Sequence, residues 1–248
     1  VSGVLARIWR HPVKSLGREA LDRTTLAAGE ALPLDRRWAL AHAASAFDAA
    51  APGWVEPNSF LRVTHAHRLA QVEAAWDGAR LTLTHPEAAS LSVDPETPEG
   101  AQAIADWAAS LADGGRPGPY RLVRAPQPMT DTDFASVSVL GLASLRALGE
   151  VMALDLDPRR FRGNLWIDGL APWEEMGWVG RELRIGGAVL KVVEPIGRCA
   201  ATEASPASGR RDAPVVRALR AATGETCFGV YATVIEGGAI ALGDAAAA

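Results

Sequence analysis

A chain of 248 residues with 48% hydrophobic content carries enough apolar material for one large core or two modest ones, and is too apolar to be disordered. Its 25 basic residues against 29 acidic ones give a net charge of −4, which leaves no global field to attract nucleic acid or an anionic membrane surface. No apolar run is long enough to span a bilayer, and the two cysteines, Cys199 and Cys227, exclude a disulfide scaffold, a zinc ribbon and ordinary iron–sulfur motifs.

The N-terminus shows no signal or transit pattern, so the expected setting is cytoplasmic. Lysine occurs only at Lys14 and Lys191, while Arg, Ala and Gly abound. That bias points to a GC-rich, bacterial genome.

In chain order, strands are expected at Val4–Arg10, Ala20–Ala27 and Arg36–His42. Gln71–Trp76 and Leu81–Thr84 flank Asp77-Gly78, a hairpin signal, and Leu81–Thr84 alternates as a half-buried strand does. Thr97, Pro98 and Glu99 open a helix with Ile104, Trp107, Ala108 and Leu111 on one face. "ADGGRPGPY" ends it. A strand at Tyr120–Arg124 and the segment "APQPMTDTDFAS" follow.

The second half opens with a helix at about Leu142–Met152. Strands follow at about Asn164–Asp168, Arg181–Ile185, Ala188–Glu194 and Phe228–Ile235. In the last, Phe228, Val230, Ala232 and Val234 share one face. Asp212 is the expected cap of a short helix carrying Val215, Val216 and Leu219. "EGGAI" turns into a short final strand, and the tail "DAAAA" is expected to fray. Strands outnumber helices without regular alternation, so the expected class is α+β, mostly β, with a barrel.

Walker A, G-x-G-x-x-G, G-x-S-x-G and H-E-x-x-H are all missing. His65 and His67 form H-x-H without a third ligand nearby, which reads as an exposed edge or loop. Glu174 and Glu175 are adjacent and read as a solvated loop rather than an acid/base pair.

Three loops concentrate anion-binding groups. "HPVKSLG" carries Lys14 and Ser15, "LDRRWAL" carries Arg36 and Arg37, and "DPRRFRGNLWI" carries Arg159, Arg160 and Arg162 ahead of Asn164. Arg198 adjoins Cys199. Guanidinium forks and loop amides hold phosphate well. Each loop alone is ordinary surface arginine.

Together with "LASLRAL", "RRFRGNLWIDG", "WVGRELRIGGAVLKVVEPIGRCAAT" and "FGVYATVIEGGAIALGD", in this order and spacing, the chain resembles the MOSC-domain proteins. It resembles the two-part type with an N-terminal β-barrel domain, as in the mitochondrial amidoxime-reducing component and its bacterial relatives. The resemblance implies a β-rich N-terminal domain over 1–125 packed on a β-barrel MOSC domain over 126–248.

It also implies a molybdenum cofactor (Mo-molybdopterin), with Cys199 of R-C-x-x-T as the metal ligand. A soft thiolate suits a metal already held by a dithiolene. Lys14, Ser15, Arg36, Arg162, Asn164 and Arg198 are the implied cofactor contacts, with Asp133 and Ser136 in the aligned hydroxyl-rich stretch. Phe134 and Ala135 depart from that stretch. Gly197 stands where the mitochondrial protein has serine, and "ASPASGRRD" replaces D-P-x-T-G. Cys227 reads as a buried, inert thiol.

The implied activity is reduction of a small N-hydroxylated substrate: an amidoxime, a hydroxylamine or an N-hydroxylated base. No ferredoxin-type domain follows, so the electron donor is expected to be a separate ferredoxin- or flavoprotein-type protein. Nucleic acid and a membrane span are not expected. The rivals are a cofactor carrier and a persulfide sulfur carrier using Cys199.

Overall fold

The computed structural model describes residues 2–113 and 115–248. The strands are β1 (Ser2–Arg10), β2 (Glu19–Leu21), β3 (Arg23–Leu26), β4 (Trp38–Ala41), β5 (Glu73–Trp76), β6 (Leu81–His85), β7 (Ala88–Val93), β8 (Arg121–Arg124), β9 (Val137–Gly141), β10 (Leu165–Asp168), β11 (Glu182–Ile185), β12 (Ala188–Gly197), β13 (Cys227–Glu236), β14 (Gly238–Ala241) and β15 (Ala245–Ala247). The helices are α1 (Pro98–Ala109), α2 (Leu142–Met152) and α3 (Val215–Thr223). The class is α+β with a closed β-barrel, as expected.

The barrel runs β10-β9-β13-β12-β11-β15-β1 and closes by pairing β1 with β10. β1 is alternately apolar and uses both edges. Val4 and Ile8 face Asp168 and Leu165 on one side, and Ser2 and Val4 face Ala247 and Ala245 on the other. Strand closure leaves no free edge and encloses Leu5, Val139, Leu165, Leu183, Leu190 and Val230. The pair β9–β10 is parallel, and α2 makes the crossover that a parallel pair requires. Helices α2 and α3 lie outside the barrel on Trp166, Phe161 and Phe228.

In the first half, β5-β6-β7 form a small sheet and β4 pairs with β8. Asp77-Gly78 makes the expected hairpin, with Trp76 opposite Leu81. Helix α1 packs Ile104, Ala105 and Ala108 into the same core as Leu81, Leu83 and Leu69. Thr97 Oγ1 accepts the Gly100 N–H at 3.1 Å, as its capping position predicts.

Several local expectations change. Ala20–Ala27 divides at Asp22 into β2 and β3, which join different sheets. The tail does not fray: β15 sits between β1 and β11, with Ala246 fully buried. Asp212 does not cap α3. Its carboxylate pairs with Arg160 at 2.6 Å, and the cap position is Pro214. Phe228 leaves the line of Val230, Ala232 and Val234, because Gly229 (φ +76°) turns it toward the helix layer.

Glu175 is not solvated either. It is completely buried and accepts from Gly141 N–H (3.1 Å) and Ser144 Oγ (2.7 Å) at the start of α2. Glu174 only holds its own turn, accepting from Ala171 N–H. Three strands, β7, β9 and β15, have no counterpart among the expected ones.

Candidate functional site

The loops "HPVKS" and "DRRW" run side by side. Lys14 N–H donates to Trp38 O at 2.8 Å, and Arg36 N–H donates to His11 O at 2.7 Å. Lys14 and Ser15 form the tip of a tight turn closed by Leu16 N–H to Val13 O (3.0 Å), with Ser15 at φ +64°. Arg36 is also left-handed, at φ +50°. The third basic loop is a 3-10 turn, Pro158–Phe161, started by Asp157, whose carboxylate accepts Arg159 N–H at 2.8 Å. It ends on Arg162 at φ +49°. Of the non-glycine residues found in this sparsely populated region, these three converge on one cavity.

That cavity encloses about 270 Å³ between the two halves of the chain. Lys14, Ser15, Arg36, Ser136, Arg162, Asn164, Arg198 and Cys199 all line it. Asp133 does not. Its backbone carbonyl accepts from Gln127, and Asp131 lies on the wall instead. The residues that motif reading missed are Arg62, Thr64, Thr130, Asp131, Ser138 and Tyr231, and Arg160 was noted only as part of an arginine run. Tyr231 sits in "FGVY", so its motif was the available signal; Arg62 had none.

Six basic side chains (Lys14, Arg36, Arg62, Arg160, Arg162 and Arg198) face one carboxylate, Asp131, across this lining. Lys14 Nζ donates to Asp131 and to the carbonyls of Met129 (2.8 Å) and Thr130 (3.2 Å). Burial lowers the Lys14 pKa, against the pull of Asp131. Burial would raise the Asp131 pKa, but Lys14, Arg36 and Arg198 together hold it at about 2.

Behind the wall, Asp35 is fully buried and accepts His11 N–H at 2.6 Å and the Arg36 guanidinium. Burial is outweighed there by Arg36 and His11, so Asp35 stays far below the usual carboxylate range. His11 is driven down to about 3, by burial first and then by Arg162 and Arg36. Burial and the charges of Arg36 and Arg18 bring Arg162 to about 9.

Several expected contacts have their polar groups committed to the fold. Asn164 Oδ1 accepts from Ser138 N–H (3.1 Å) and Oγ (2.8 Å), and Nδ2 donates to Trp9 O (3.1 Å). It staples β9, β10 and β1 together at the cavity floor. Ser136 Oγ accepts from Thr132 Oγ1 at 2.8 Å. Arg198 donates to Phe228 O from Nε (2.8 Å) and Nη2 (2.6 Å) and to Phe161 O from Nη1 (2.9 Å), over both rings. It fixes the base of the cysteine loop.

Cys199 leaves β12 in extended conformation and starts the 3-10 turn Ala200–Glu203. Thr202 Oγ1 donates to Cys199 O at 3.0 Å and closes the turn. The thiol is exposed, and its polar neighbour is Thr64 Oγ1 at 3.7 Å. Cys227 is half-buried at the start of β13 and does not line the cavity. Beside Cys199, a Cβ built on Gly197 would meet no atom within 4 Å. His65 lies in a turn and His67 opens the 3-10 helix His67–Gln71, and among the described residues no three His, Cys, Asp or Glu side chains converge to hold a metal by themselves. Among those residues, too, no helix is long and apolar enough to cross a membrane.

Known proteins match this chain along most of its length. Residues 2–115 match the MOSC N-terminal beta barrel domain and residues 126–247 match the MOSC domain. A molybdenum cofactor sulfurase 2 of Culex quinquefasciatus is 41% identical over 73 residues, which are 29% of this chain and 9% of that protein. A molybdenum cofactor sulfurase of Drosophila grimshawi is 32% identical over 112 residues, 44% of this chain and 14% of that one. The chain thus spans a small part of the length of these relatives. The solved YUAD protein from Bacillus subtilis shares the fold, at 12% identity and a TM-score of 0.51 over 99% of this chain and 94% of its own. The chain belongs to the family that joins a MOSC N-terminal beta barrel domain to a MOSC domain.

Proposed function

We propose that the cavity binds a molybdenum cofactor through Cys199, and that the protein reduces N-hydroxylated compounds with electrons from a separate ferredoxin- or flavoprotein-type donor. The observation that carries this reading is the meeting of one exposed thiol with six basic side chains on a single cavity. A pterin phosphate asks for fixed cationic donors, and a metal already held by a dithiolene asks for one further soft ligand. The residues fit both demands. Lys14, Ser15, Arg36 and Arg162 would hold the phosphate end, and Cys199 Sγ would ligate the metal.

When bound, the cofactor supplies a two-electron couple and an acceptor for the oxygen of the N–O bond. The part of the chain is positional and electrostatic. Its cations stand in fixed geometry before any ligand arrives, so little reorganisation opposes binding of an anion. Asp131 stays ionised and anchors Lys14. Burial and Asp131 lift Tyr231 to about 12 against Arg198 and Arg36, so its Oη keeps a proton for donation into the cavity.

Anaerobic purification from a cofactor-producing host should return near-stoichiometric molybdenum, and Cys199→Ser should lose it while keeping the wild-type circular dichroism. Dithionite-reduced protein should convert benzamidoxime to benzamidine. A protein that holds no molybdenum and cannot be reconstituted overturns the proposal, and molybdenum without turnover favours a carrier role. The names of the two sulfurase relatives support a second reading, in which Cys199 Sγ carries persulfide. Intact mass would then show one extra sulfur atom, absent from Cys199→Ser.

A further inference from the structure

We propose that Arg62 and Arg211 form an anion subsite beside Cys199, and that the N-hydroxylated compound reduced in this cavity carries a carboxylate or phosphate group. The inference rests on the cavity being the site of N–O reduction. Thr64 links the parts: its Oγ1 lies 3.7 Å from Cys199 Sγ, and its carbonyl accepts from Arg211 Nη2 at 2.7 Å. Arg62 lies two residues earlier, on the cavity wall.

The lining cations other than Arg62 each have a carboxylate or carbonyl partner, and Arg211, which stands beside the lining, donates to Thr64 O. Lys14 pairs with Asp131, Arg36 with Asp35 and Arg160 with Asp212, while Arg162 and Arg198 donate to backbone carbonyls. Among the described residues, Arg62 and Arg211 have no carboxylate within 4.0 Å. Arg62 Nε is buried without any acceptor, as is Arg160 Nε, but Arg160 has Asp212 as its counter-ion. A buried guanidinium N–H without a partner is costly, and an anion seated against the Arg62 guanidinium would offset that cost electrostatically.

The placement of Arg211 is built in. It bridges Ala204 across a loop closed by Ser205 N–H to Arg210 O (2.8 Å), and Gln71 Nε2 holds that loop at Ala207 O (2.9 Å). This loop belongs to "ASPASGRRD", the segment that departs from the family pattern. His65, next to Thr64, has its pKa lowered by what burial it has and then by the charges of Arg62, Arg116 and Arg211. Open space at Gly197 leaves room for a substituent next to the thiol. Two guanidiniums at the rim suit a planar carboxylate or a phosphate held away from the reacting N–O bond.

The test compares benzamidoxime with its 4-carboxy and 4-phosphono derivatives on the cofactor-loaded enzyme. Wild type should prefer a charged derivative by about tenfold in kcat/KM, through KM. Arg62→Gln and Arg211→Gln should each bring that ratio toward one, and which derivative is favoured distinguishes carboxylate from phosphate. Equal kcat/KM for all three in wild type overturns the subsite. Turnover of none of them defeats the underlying reading instead, and a second measurement then decides the subsite. Cys199 of the cofactor-free full chain is alkylated with iodoacetate and with iodoacetamide and read by peptide mass. The iodoacetate-to-iodoacetamide rate ratio should fall several-fold in Arg62→Gln and Arg211→Gln and stay put in Arg217→Gln, on exposed α3 surface. An unchanged ratio in both rim variants overturns the proposal.

Discussion

Arg36 donates from its guanidinium to the backbone carbonyl of Arg162 at 2.8 Å, and both residues are left-handed. One basic loop therefore braces the strained end of the other. Strain of this kind costs about 1–3 kcal/mol per residue and persists only where surroundings enforce it. Arg162 is also a desolvated cation next to Arg36 and Arg18. Arg162→Gly should raise the stability of the cofactor-free protein by about 1 kcal/mol in urea denaturation while lowering its molybdenum content. A variant that is both weaker and fully loaded would show that Arg162 serves the fold alone.

His11 stays neutral in the fold down to about pH 3, while its unfolded counterpart titrates near 6.5. The unfolded chain binds the extra proton between these values, so stability falls as pH drops through that window. Asp35, held low in the fold, adds a further loss only below about pH 4, where its unfolded counterpart protonates. His11→Asn removes the first effect. Between about pH 4.5 and 6, wild type should lose up to roughly 1.4 kcal/mol per pH unit more than this variant on acidification. Denaturation curves at stepped pH measure the difference in slope.

Glu175 gives the opposite sign. Burial raises its pKa in spite of the hydrogen bonds from Ser144 and Gly141. The folded chain then holds the proton that the unfolded chain has released, so stability falls as pH rises above 4.5. Glu175→Gln keeps an acceptor for Gly141 and can donate to Ser144 Oγ. Its unfolding free energy relative to wild type should grow with pH. A difference that does not vary with pH would mean that Glu175 ionises alike in both states.

Strand β15 lies between β1 and β11 in the barrel with alanine side chains only, and Ala246 is fully buried. Ala246→Asp places an unpaired carboxylate there and should cost about 3 kcal/mol or more in chemical denaturation. Ala247→Asp, on an exposed position of the same strand, should cost far less.

The tail shows why some of the fold was hidden in the sequence. Alanines carry no alternation to read, so β15 exists only through its neighbours β1 and β11. Strand β9 was missed because all five of its residues are buried and α2 begins directly after it, which erases the period-two pattern. Local chemistry was legible where a motif fixes a turn, as at Thr97, Asp77-Gly78 and the Lys14–Ser15 loop. In the cavity, the motifs named Lys14, Arg36, Arg162 and Cys199, which lie in four separate stretches. Arg62 and Asp131 reach the same wall only through tertiary packing, and no spacing announces them.

Strand β1 falls within the match to the N-terminal model, yet it is a stave of the barrel whose other staves all lie within residues 126–247. An exchange of only the C-terminal segment between two relatives would bring together staves that had never been selected against each other. At β1 the recipient must supply Leu5 and Ile8 to a foreign core, and pair Ser2–Val4 with a foreign β15. The two halves of this chain are therefore coupled at the first strand: Ser2–Ile8 answers to β15 and β10 in the second half, while Ile8–Arg10 also answers to β2 in the first.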